Sequence, residues 1–103
     1  AHAGARLVLA PHPSATGRLD AFWVVGGRVV DWGRLPDSAD EIAERTWEAV
    51  RAGGGWLRPE ELDEVRLVGA WLASREVRVL ELEPEPGRAR LNGFVAAARA
   101  SRP

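Results

Sequence analysis

Two runs rich in β-branched and aromatic residues, Asp20 to Val25 and Arg28 to Trp32, are separated by Gly26-Gly27. A two-residue hairpin loop of the kind that matches strand twist needs positive φ at both central positions, and a Gly-Gly pair supplies it without steric cost. The segment is therefore predicted to be an antiparallel hairpin. With only those two glycines in the loop, Val25 pairs with Arg28, Trp23 with Val30 and Phe22 with Asp31. One face then carries Ala21, Trp23, Val25, Val30 and Trp32, and the other carries Asp20, Phe22, Val24, Val29 and Asp31. The first face, with two tryptophans and no carboxylate, is the expected core side.

The remaining segments build around that hairpin. Arg6 to Ala10 is a short apolar run closed by Pro11 and Pro13, which reads as a strand, and Pro11 to Arg18 reads as a loop. Ser38-x-x-Glu41 is a capping box and opens a helix to Ala52, with an apolar side of Ala39, Ile42, Ala43, Thr46, Ala49 and Val50 and with Trp47 near its edge. After Gly53-Gly54-Gly55, Pro59 sits at a natural first helical position, and a second helix to about Ser74 carries Leu62, Val65, Val68, Gly69 and Leu72. Val77 to Leu82 reads as a strand. Asn92 is placed as the cap of a final helix striped by Leu91, Phe94, Val95 and Ala98. The predicted order is β-β-β-α-α-β-α, a single α+β domain over residues 1–103 with a mainly antiparallel sheet and helices on one face. Trp23, Val30, Leu62, Val65 and Leu72 are expected to share its core.

Composition narrows the chemistry. The chain has no cysteine, so disulfides, thiolate metal sites and a cysteine nucleophile are absent, and two histidines without an H-E-x-x-H pattern are too few for a structural zinc site. His12 lies on a loop between prolines, where a role as metal ligand or catalytic base is the lesser reading and a plain loop residue the simpler one. The formal net charge of -1 gives no long-range pull on a nucleic-acid backbone, so any such contact depends on a local patch. Arg18, Arg28 and Arg34 around the hairpin are the residues able to form one, joined by Arg6 if the first strand pairs beside it. No run reaches the length of a membrane span, and a cytoplasmic location without a cofactor is expected.

Two further sets of residues offer alternatives. Asp20 and Asp31, on one face of the straight hairpin, could hold a divalent ion with Glu81 as the third carboxylate, which is the set a metal-dependent hydrolase would need. Solvation of strand ends beside a turn is the favoured reading of such isolated carboxylates. Trp47 and Trp56 are the tryptophans not assigned to the core; they are candidate contacts for a partner protein or for stacked bases, although for Trp56 folding down over the helix pair is the favoured reading.

Gly4-Ala-Arg-Leu-Val-Leu-Ala10, the hairpin from Phe22 to Gly33, and Glu64 to Leu72 followed by Val77 to Leu82 together resemble the C-terminal region of bacterial proteins that fuse a DEDD-type exonuclease to a GIY-YIG module like that of the excinuclease ABC nuclease. The resemblance spans roughly residues 4–82 and rests on spacing and apolar character. It implies an accessory domain of a DNA-repair or proofreading nuclease, with DNA and neighbouring nuclease modules as partners. By fold-level analogy with the C-terminal end of that excinuclease component, it also implies a reduced ribonuclease-H-like fold. The chain has no tyrosine, hence no GIY-YIG motif, and it lacks a DEDD acidic set, so the resemblance carries over no catalytic residue.

Overall fold

The computed structural model describes residues 4–12, 14–52 and 77–101. Within them the chain forms β1 (Arg6–Pro11), β2 (Leu19–Val25), β3 (Arg28–Arg34), α1 (Ala39–Ala52), β4 (Arg78–Glu81) and α2 (Arg88–Ser101). The strands make one sheet in the order β3-β2-β1-β4, and every neighbouring pair is antiparallel. This is the expected α+β class. The expected helix from Pro59 to Ser74, with Leu62, Val65, Leu72 and Trp56 just before it, lies outside the described residues.

Local chemistry sets most of the element limits. Gly26 and Gly27 take φ of 62° and 79°, the positive pair that the tight turn requires. Ser38 Oγ accepts the Glu41 N–H at 3.2 Å, satisfying one of the orphan amides at the start of α1. Asp40 and Glu41 in the first turn and Arg51 in the last oppose the helix dipole favourably. Ile42, Ala43, Thr46 and Ala49 are buried along one stripe of α1, and Trp47 and Val50 pack half-buried beside it.

Helix α2 departs from the expectation. It begins at Arg88, directly after Gly87, whose carbonyl accepts the Leu91 N–H at 3.1 Å. Asn92 therefore stands in the second turn and is exposed, not at the cap. Leu91, Val95 and Ala98 are all buried, and drawing Leu91 into that stripe requires the helix to start ahead of it.

Both described helices pack on one face of the sheet. There Leu7 and Leu9 of β1, Ala21, Trp23 and Val25 of β2, and Leu80 of β4 form the core with the α1 and α2 stripes. Arg88 of α2 reaches Asp40 of α1, and Arg99 donates to the Pro36 carbonyl oxygen at 2.7 Å, tying α2 to the segment that leads into α1.

The hairpin does not keep the straight register. Val25 pairs with Arg28 and Val24 with Val29, but Trp23 then pairs with Asp31, Phe22 with Trp32, Ala21 with Gly33 and Asp20 with Arg34. Val30 is an extra residue on β3, a bulge that inverts the facing of everything after it. Asp31 consequently lies on the helix side and Trp32 on the far side, the reverse of the straight pairing. Asp31 meets Arg45 of α1 there through two hydrogen bonds of 3.1 Å, and the Arg45 guanidinium lies 4.5 Å from the centroid of the Trp23 ring. The register that gives Asp31 this partner on the helix side leaves Trp32 on the other side of the sheet.

Candidate functional site

The face away from the helices carries Arg6, Val8 and Ala10 from β1, Asp20, Phe22 and Val24 from β2, Trp32 and Arg34 from β3, and Val79 and Glu81 from β4. Val8, Ala10 and Phe22 are buried at its centre, with Val24, Val29 and Val77 packed around them. Its two edges are exposed instead. Trp32 on β3 keeps 67% of its accessible surface and Val79 on β4 keeps 47%.

Trp32 is held in place although it is exposed. Its ring stacks on Phe22 at a centroid distance of 6.5 Å and an interplanar angle of 10°. Its backbone N–H donates to Asp31 Oδ1 at 2.9 Å, and Asp31 is itself fixed by Arg45. Arg34 follows two residues along the same strand, on the same face, and is exposed. Arg18 approaches from the loop before β2, its Nε donating to Asp20 Oδ1 at 2.8 Å. The Asp20 side chain is largely buried, so this ion pair neutralises the carboxylate paired across the strands with Arg34. Trp32 and Arg34, with Arg18 adjacent, thus make a corner where a flat apolar ring lies beside guanidinium groups.

The other arginines divide. Arg6 is on the same face but at the opposite end of the sheet, paired with Glu81 at 3.2 Å. Arg28 pairs with Val25 beside the turn, and its side chain lies outside the described residues. Arg18 and Arg34 share one corner of the face, while Arg6 stands away from it.

The carboxylates Asp20, Asp31 and Glu81 are not brought together. The bulge puts Asp31 on the helix side, whereas Asp20 and Glu81 are on the other. Asp20 is opposite Ala10 and Glu81 opposite Arg6, four positions apart along β1, or roughly 13 Å. Each carboxylate is engaged by an arginine. Among the described residues no group of three or more histidine, cysteine or carboxylate side chains is placed to hold a metal ion.

Of the remaining candidates, His12 and Trp47 have structural partners. His12 Nδ1 accepts the Ser14 N–H at 3.1 Å, while the His12 N–H donates to the Arg18 carbonyl at 2.9 Å, closing the loop between β1 and β2. Trp47 is half-buried against the core, and Trp56 lies outside the described residues. A shallow cleft of about 190 Å³ between α1 and α2 is bordered by Ile42, Val95 and Arg99, the last already bound to the Pro36 carbonyl. No described helix is long and apolar enough to cross a membrane.

The straight-hairpin pattern hid Trp32, because it put that residue in the core. The available signal was the presence of two tryptophans on one side of a small hairpin, more indole volume than a thin core accepts. No protein-family model matches the chain, and neither the curated proteins nor the solved structures give a match to it.

Proposed function

We propose that this chain is a noncatalytic accessory domain of a DNA-repair or proofreading nuclease, positioning nucleic acid or a neighbouring module. The observation that supports it is the corner of the sheet where exposed Trp32 and Arg34 stand beside Arg18, with the adjacent carboxylate neutralised. An indole offers a surface for stacking and a guanidinium pairs well with phosphate, which together suit contact with a nucleic-acid strand. The noncatalytic part of the reading is supported by the separation of Asp20, Asp31 and Glu81.

Binding is expected to be weak, because the net charge of -1 provides no general attraction. Fluorescence anisotropy with a labelled oligonucleotide should give a Kd no tighter than roughly 10 to 100 μM at physiological salt, in the nonspecific range. Affinity should fall as salt rises, with a logarithmic slope of about -0.9 for each duplex phosphate contacted. The Arg28→Glu, Arg34→Glu double variant should lose the binding. Nucleic-acid cleavage that requires magnesium or manganese and disappears in Asp20→Asn would overturn the noncatalytic reading in favour of a hydrolase.

A further inference from the structure

We propose that Trp32 is a stacking platform for an unpaired base of single-stranded nucleic acid, with Arg34 engaging the adjoining phosphate. This rests on the nucleic-acid reading above and names the form of ligand that the corner takes. Three observations lead to it.

First, Trp32 keeps 67% of its surface exposed even though a straight hairpin would have buried it. Second, the ring is pre-positioned. Phe22 supports it at 6.5 Å with nearly parallel planes, and its backbone is fixed by a strand pairing and by the hydrogen bond to Asp31. A side chain already ordered loses little freedom when a ligand stacks on it. Third, the local charge favours a phosphate. Arg34 makes no ion pair among the described residues, and Asp20 opposite it is already paired with Arg18. A sugar ligand would want unengaged carboxylates or amides beside the indole to meet its hydroxyls, and the carboxylates here are taken.

The form of nucleic acid follows from which surfaces are free. In a duplex the faces of each base are covered by its neighbours, so a protruding indole finds no flat partner without unstacking a step. An unpaired base exposes its π-face, and stacking on it tolerates any sequence.

The test uses the full 103-residue chain with fluorescein-labelled oligo(dT) and a mixed-sequence duplex of equal length, compared by anisotropy at low and at physiological salt. Oligo(dT) should bind more tightly than the duplex. Trp32→Ala should weaken oligo(dT) binding by about fivefold or more while changing duplex binding less than about twofold. Trp32→Phe should recover most of the loss, since a smaller aromatic face still stacks, and quenching of tryptophan emission by oligo(dT) should shrink in that variant. Urea denaturation of both variants shows whether a loss comes from unfolding.

Equal weakening of both nucleic acids, or no effect of Trp32→Ala while Arg34→Glu still abolishes binding, would overturn the stacking site and leave the accessory reading standing. Failure of the wild-type chain to bind either oligonucleotide would overturn the stacking site and the nucleic-acid part of the accessory reading together, leaving only contact with a neighbouring module. Concentration-dependent self-association abolished by Trp32→Ala, with oligonucleotide binding unchanged, would assign the indole to contact with a second copy of the chain instead.

Discussion

Trp23 is fully buried, donates its indole N–H to Thr46 Oγ1 at 2.9 Å and lies beneath the Arg45 guanidinium. Thr46 Oγ1 in turn donates to the Ile42 carbonyl at 2.7 Å, so the hydroxyl serves α1 and the sheet at once. Burying an indole without a partner for its N–H leaves a desolvated donor, and Thr46 removes that cost. The Trp32 ring, on the same hairpin, has among the described residues only the Phe22 stack. The two tryptophans should therefore differ sharply when truncated. Trp23→Ala is expected to cost about 3 to 5 kcal/mol in chemical denaturation, as large core aromatics do. Trp32→Ala should cost no more than about 1.5 kcal/mol, the upper range for loss of one aromatic pair. A reversed order would mean that β3 lacks the bulge at Val30.

At the level of elements, the start of each helix separates what a motif can state from what burial decides. Ser38 caps α1 with both its spacing to Glu41 and its hydroxyl contact, so Ser38→Ala should lower stability by about 0.5 to 2 kcal/mol. Asn92 has the residue type of a cap but stands inside α2, exposed to solvent. Asn92→Ala should leave stability unchanged or raise it by a few tenths of a kcal/mol, because alanine is the better helix former there. Urea midpoints for the two variants, measured side by side, check both. The difference has a physical root. A capping box is completed within four residues, whereas the start of α2 depends on Leu91 reaching a core assembled from distant strands.

For the molecule as a whole, sheet order controls which charges can cooperate. Placing β1 between β2 and β4 puts Asp20 and Glu81 at opposite ends of one face, and the bulge removes Asp31 to the other. Each carboxylate has an arginine within 3.2 Å. Adding millimolar magnesium or manganese is therefore expected to leave Tm unchanged, since a ligand stabilises only the state that binds it. A rise of several degrees that vanishes in Asp20→Asn would show a metal site and would revive the hydrolase alternative.

The sequence by itself determined the elements whose chemistry is local. These are the Gly26-Gly27 turn, the Ser38 cap, the buried stripe of α1, and the strands at Arg6 and Val77 to within a residue or so. It also determined that both described helices would cover one side of an antiparallel sheet. Tertiary structure decided the rest. A single extra residue in β3 exchanges the faces of Asp31 and Trp32, and no periodicity announces it, because strand alternation carries the same pattern in either register until something packs against it. Here that something is α1, where Arg45 takes Asp31 and covers Trp23, leaving Trp32 to the far side of the sheet. The candidate site is thus a product of packing between elements remote in sequence, and for that reason the local pattern pointed to Trp47 and Trp56 and passed over Trp32.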